Sequence, residues 1–262
     1  MTSLNRSLIE NRLKTDIIGR DIRIWDETNS TNELAKSFRN EPEGLTILAN
    51  QQHFGRGRLG RSWHSPNELG VYLSILLKPQ MDSKRIAPST LMAGVAVIDA
   101  VRPSLINSIP LLKWPNDVLV NGLKLAGILC EYCPPDKTHG GALIIGIGVN
   151  INHKIEDFPE ELQSKATSLR QQTGHLVDRE SIIHLLLEHL DKEYRLFLNS
   201  DVTELASKWV KRSGFFGKTV TMNLHGKTHT GIATGLDESG RLVLKLENGQ
   251  DMLFDSGEIN IF

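Results

Sequence analysis

Apolar positions recur with two periods along this chain, and the change of period marks its elements. Short apolar or alternating runs bounded by turn residues predict strands over 22–25, 45–49, 71–77, 111–114, 118–120, 123–129 and 142–151. Asn121-Gly122 lies between two of them and predicts a tight hairpin turn. Helical spacing is weak over 4–18 (Leu4, Leu8, Ile9, Leu13, Ile17). It is strong over 86–106 up to Pro103, over 178–198 and over 202–212. Ser30 and Glu33 fit a capping box opening another helix. Residues 153–177 follow neither period and read as irregular. Beyond Gly214 the texture changes to short β patterns at 218–224, 229–236, 241–246 and 251–254, separated by His225-Gly226, Ser239-Gly240 and Asn248-Gly249. Such spacing predicts a small barrel-like β domain.

The length, 262 residues, suits a large domain with a small one after it. A net charge of −1 gives no basic surplus, which argues against a duplex-binding domain. No apolar run is long enough for a membrane span and none has the form of a signal peptide, so a cytoplasmic protein is expected. Cys130 and Cys133 form a C-x-x-C with no second pair, at the end of a predicted strand and before Pro134-Pro135. That context fits neither a structural zinc site nor a redox motif, and no metal ligand is assigned.

The densest chemistry lies in Gly55-Arg56-Gly57-Arg58-Leu59-Gly60-Arg61, followed by Ser62-Trp63-His64-Ser65-Pro66. The run satisfies G-x-G-x-x-G, but no helix opens at the third glycine; turn residues and a strand follow, so a dinucleotide-binding reading fails. The context predicts strand, long loop, strand. Glycines leave backbone N–H groups open to an anion, and arginines add charged forks that suit carboxylate and phosphate. A Gly-rich, self-repelling loop is expected to be mobile until a ligand orders it. A solvated basic loop or a nucleic-acid contact fits the same residues.

Five segments place polar or glycine residues at strand ends and in turns. They are Ser30-Thr31-Asn32, Gln51 through Pro66, Lys113-Trp114-Pro115-Asn116-Asp117, Lys124-Leu125-Ala126-Gly127-Ile128-Leu129, and Gly146 through Asn152. Together they resemble the biotin protein ligases, whose GRGRxGRxWxSP loop, KWPND, KLAGIL and GxGxN motifs occur here in family order. The resemblance is strong over residues 20–152 and looser beyond.

It implies an α+β fold: a mixed sheet with flanking helices, akin to class II aminoacyl-tRNA synthetases, then a small SH3-like β-barrel. The catalytic domain would span 1–213 and the SH3-like domain 214–262. It also implies an ATP-dependent, AMP-forming ligase. Biotin and ATP would give biotinyl-5′-AMP, with Mg²⁺ as cofactor, and a lysine of a biotin carboxyl carrier protein would then take the biotin. Family members often pair through their central sheet, so a homodimer is compatible.

Adenylate formation brings a carboxylate onto a phosphate, and cationic groups must offset that repulsion. The resemblance assigns catalytic roles to Arg58, Lys124, Lys113 and Asp117. Biotin contacts fall to Ser30, Thr31, Asn32, Gln51, Arg56, Gly57, Arg58 and Lys124, since a buried cyclic urea needs donors and acceptors on both sides. Nucleotide contacts fall to Arg58, Arg61, Trp63, Lys113, Asn116 and Asn150. Ser30 fits a helix cap as well. Asn116 and Asp117 fit turn chemistry after Pro115, Lys124 a solvent-facing hairpin lysine, and Trp63 and Trp114 core packing.

Two departures stand out. The pattern starts near Ile22, leaving too little chain before it for the winged helix-turn-helix of DNA-binding members, so a ligase without nucleic-acid partners is expected. Residues 159–177 hold no aromatic side chain to stack on adenine. Within the superfamily, a lipoate or octanoyl ligase or transferase is the alternative, although those enzymes lack a GRGRxGRxW loop.

Overall fold

The computed structural model describes residues 3–11, 13–199, 202–224 and 226–261. The first helix, α1, covers only Arg6–Glu10, where Asn5 caps the backbone N–H groups of Ser7 and Leu8. The helix expected over 4–18 therefore stops early. The Asp191 carboxylate accepts from the backbone N–H groups of Asp16, Ile17 and Ile18 at 3.2, 2.7 and 2.9 Å, and these bonds hold that segment in a non-helical bend.

Strand β1 (Asp21–Thr28) leads through α2 (Thr31–Ser37) to β2 (Leu45–Gln52), which pairs with it in parallel. After the Gly/Arg loop come β3 (Gly70–Leu77), the turn α3 (Ser83–Ile86) and α4 (Ser89–Val101). Strands β4 (Pro110–Lys113), β5 (Asp117–Val120), β6 (Leu123–Cys133) and β7 (Ala142–Asn150) complete a seven-stranded mixed sheet in the order β1-β2-β3-β7-β6-β5-β4. The stretch expected to be irregular contains short helices α5 (Glu160–Gln163) and α6 (Leu169–Thr173). Two longer ones, α7 (Arg179–Asn199) and α8 (Val202–Lys211), follow.

Alternation along the strands divides the two faces. Leu48, Leu73, Ile75 and Ile145 turn toward α4 and α7 in the main core, whereas Leu45, Ile47, Leu76 and Ile144 pack with Ala35 of α2. Helix α4 is apolar almost all round because the sheet, α7 and α8 cover it. Toward its far end the α2 face carries Ser74, Gly127, Gly146 and Gly148 in place of large apolar groups, and the candidate site opens there.

The second sheet comprises β8 (Thr219–Leu224), β9 (Lys227–Leu236), β10 (Leu242–Leu246), β11 (Asp251–Phe254) and β12 (Glu258–Ile261), in the antiparallel order β11-β10-β9-β8-β12. Strand β12 has no counterpart among the sequence-predicted strands, and the His225 turn signal lies outside the described residues. Val220, Met222, Leu244 and Phe254 join the same apolar cluster as α4 and α7. The Trp114 indole N–H donates to Gly240 O at 3.2 Å, tying the β9–β10 turn to the segment between β4 and β5.

Candidate active site

A cavity of about 620 Å³ lies on the α2 face of the large sheet. Three of its walls come from motifs singled out in the sequence. Ser30, Thr31 and Asn32 enter from the start of α2, Arg56 through Leu59 and Arg61 through His64 from the loop, and Lys113 through Asp117 from the β4–β5 connection. Lys124, Gly127, Gly146, Gly148 and Asn150 form the strand floor.

Gln51 is not among the described lining residues, and its neighbour Gln52 is. Gln52 Oε1 accepts from Thr31 N at 2.8 Å, and Gln52 Nε2 donates to Ser65 Oγ at 2.9 Å. Ser30 occupies the N-cap position of α2 but makes no side-chain cap hydrogen bond, so the expected capping box does not form.

The Gly/Arg loop has its own architecture. Gly57 N donates to Arg61 O at 2.7 Å, Trp63 N donates to Gly55 O at 2.8 Å, and Arg56 bridges Ser62 in antiparallel fashion. Its tip turns through Leu59 (φ 56°) and Gly60 (φ 74°). The repelling arginines find carboxylates instead: Arg56 pairs with Glu33 and, at 3.2 Å, with Glu131. Arg58 Nη1 donates to Asn116 Oδ1 at 3.4 Å. These contacts tie the loop to α2, β6 and the β4–β5 connection. Burial lowers the Arg58 pKa from its ordinary value, and nearby Asp117 opposes that shift.

Lys124 Nζ lies 2.7 Å from Asp117 Oδ1, an ion pair whose angle falls outside hydrogen-bond geometry. It also lies 5.5 Å from the Trp63 ring centroid. Trp63 rests on two glycines: a Cβ at Gly148 would overlap the indole nitrogen, and one at Gly127 would come within 2.9 Å of the ring. Both Trp63 and Lys124 thus face the cavity. Trp114 is buried and also lines it. Asn150 is buried; its amide donates to Thr167 O at 3.0 Å, steadying the 165–167 segment that pairs in parallel with Lys124.

Several contacts around the cavity carried no sequence signal. His64 donates from Nε2 to Asp157 O at 2.8 Å, joining the loop to the turn before Phe158. Phe158 stacks on buried His153 with centroids 4.8 Å apart, and neither ring nitrogen of His153 has a hydrogen-bond partner. Lys165 and Ala166 complete that wall, and Asn223, Gly257 and Ile259 reach in from the second sheet.

Comparison with known proteins fits this geometry. The profile of the Biotin/lipoate A/B protein ligase family matches residues 22–150, and that of the Biotin protein ligase C terminal domain matches 215–261. The bifunctional ligase/repressor BirA of Bacillus subtilis is 34% identical over 97% of this chain and 78% of its own length. The biotin–acetyl-CoA-carboxylase ligase of Mycobacterium tuberculosis is 33% identical over 98% of this chain and 96% of its own. The biotin protein ligase of Aquifex aeolicus, solved in complex with biotin and ATP, superposes with a TM-score of 0.79 at 30% identity, covering 93% of this chain and all of that one. The chain belongs to the biotin protein ligase family.

Proposed function

We propose that this chain activates biotin with ATP to biotinyl-5′-AMP and transfers the biotinyl group to a lysine of a biotin carboxyl carrier protein. The reading places it in the cytoplasm with no nucleic-acid partner, compatible with a homodimer, and sets the domain boundary at 213/214. The observation that carries it is the charge of the cavity. Among the described lining residues, Arg56, Arg58, Arg61, Lys113, Lys124 and Lys165 face one carboxylate, Asp117, beside a floor of neutral hydrogen-bonding groups. Such a cavity suits two anions brought together at one end and a polar, uncharged ring at the other.

In this reading Ser30, Thr31, Asn32 and Gln52 hold the cyclic urea. Lys124 meets the carboxylate of biotin or the α-phosphate, and Arg58 closes over the adenylate. Asp117 lies where an incoming lysine ammonium could be oriented and deprotonated. Among the described residues no group of three or more His, Cys, Asp or Glu side chains is arranged for a metal ion. One carboxylate suffices for Mg²⁺ when phosphates supply further oxygens. The Asp117 carboxylate, whose Oδ1 accepts no hydrogen bond and is held only by its ion pair with Lys124, fits that need. Bound there, Mg²⁺ would offset phosphate charge.

The test is biotin-dependent exchange of pyrophosphate into ATP, followed by label transfer to a purified carrier domain. Exchange with lipoate or octanoate in place of biotin, and none with biotin, would overturn the reading in favour of the superfamily alternative.

A further inference from the structure

Beneath the cavity runs a chain of hydrogen bonds that ends on a carboxylate outside the described lining. Glu131 on β6 accepts from Asn32 Nδ2 at 2.9 Å, and the same amide nitrogen donates to Leu129 O at 3.3 Å. Both partners only accept, so the nitrogen of Asn32 must face them and its oxygen must face the other way. There Oδ1 lies 2.6 Å from Ser74 Oγ. Ser74 must spend its single proton on that oxygen. Thr31 Oγ1 then has two acceptors for its own proton, Ser74 Oγ at 2.8 Å and Gln52 Oε1 at 3.1 Å, and the shorter contact is to Ser74. With its proton so committed, Thr31 Oγ1 keeps only lone pairs for the cavity. Gln52 Oε1 is fixed in the same sense from the other side, because it accepts from the backbone N–H of Thr31. A Cβ at Gly146 would overlap the Asn32 amide, so the relay also needs the bare backbone there.

We propose that Glu131 is a positioning residue that, through Asn32 and Ser74, fixes the proton order of the cavity floor so that Thr31 offers an acceptor to a ligand N–H. This inference rests on the biotin reading and deepens it: the preferred ligand carries a ring N–H donor where Thr31 lies, as a cyclic urea does. Lys36 and Arg56 hold Glu131 ionised at 2.8 and 3.2 Å, and an ionised carboxylate cannot donate back. Burial pushes the Glu131 pKa up, and the hydrogen bonds from Lys36 and Asn32 outweigh it, leaving the carboxyl below its usual range.

Glu131→Gln keeps the shape but can donate or accept, so only the 3.3 Å bond to Leu129 O still opposes turning the Asn32 amide over and reversing the protons in the chain. Ser74→Ala cuts the relay at its middle and touches neither cation paired with Glu131. Titration of biotin into the full chain should show each variant about 10- to 100-fold weaker, the scale of one misdirected buried hydrogen bond. KM for ATP should hold. The double variant should be no weaker than the worse single one, because both break one relay. The wild type should prefer biotin over one of the two cyclic carbamate analogues in which a ring oxygen replaces an N–H, and Glu131→Gln should lose that preference. Circular dichroism checks folding; if Ser74→Ala unfolds, Thr31→Val interrupts the next link instead. Wild-type affinity in Glu131→Gln, multiplied losses in the double variant, or a retained preference would each overturn the relay alone. A wild-type chain that binds no biotin would overturn the functional reading and the relay with it.

Discussion

Lys124 Nζ and Asp117 Oδ1 lie 2.7 Å apart across the β5–β6 pair, so the free cavity already holds its central cation against its one described carboxylate. An incoming carboxylate or phosphate would compete with Asp117 for that ammonium. Lys124→Ala is predicted to lose adenylate formation by about 2–4 kcal/mol in the barrier, or roughly 30- to 1,000-fold in rate. Pyrophosphate release without carrier protein reports this step alone, and wild-type release would show that Lys124 has another role.

Arg58 should fail differently. It reaches from the loop to Asn116 and is half-buried between them, a position suited to retaining a product rather than forming it. Arg58→Gly is predicted to make biotinyl-AMP still and to release it, labelling nearby proteins indiscriminately. Free biotinyl-AMP measured by mass spectrometry, together with the labelling of an unrelated protein, tests this. A variant that forms no adenylate would refute the assignment.

Gly148→Ala should act through Trp63. The added methyl overlaps the indole, which must shift from its place on the cavity floor beside Lys124. Overpacking of this kind costs about 1–3 kcal/mol, and the predicted result is a rise in KM for biotin of roughly 5- to 100-fold. Unchanged kinetics would show that the ring has room to yield.

His153 makes stability pH-dependent. Burial, with a smaller contribution from His64, lowers its pKa from 6.5 to about 3. As pH falls, the unfolded chain takes up this proton first. The stability that a neutral His153 contributes is complete above about pH 6.5 and is lost between there and about pH 3, by at most ~1.4 kcal/mol per pH unit. His153→Phe keeps a ring stacked on Phe158 and removes the proton. Urea midpoints at about pH 7.5 and about pH 5 should show the variant gaining on the wild type in acid, and a constant difference between them would refute the linkage.

The strands of the large sheet and the loop, turn and hairpin that supply its charges are legible in the sequence because each is a local pattern. Gln52, and not the Gln51 that the family resemblance suggests, lines the cavity, and its bond to Thr31 is a contact between segments that the sequence alone does not display. The helix expected over 4–18 gives way to three backbone N–H groups that donate to Asp191, a residue far along the chain. Glu131, Ser74, Asn223 and Ile259 had no motif to announce them. Their place beside or beneath the cavity arises from packing between segments distant in sequence, which no local period records.

The bond from Trp114 to Gly240 bears on how the protein could be divided. Cut between 213 and 214, the chain would yield two pieces that each own part of one cavity and one apolar core. Neither would carry the activity, and mixing would restore it only as far as mass action drives the pieces together. Biotinylation by such a pair, fused to two other proteins, would serve as a recorder of whether those proteins meet.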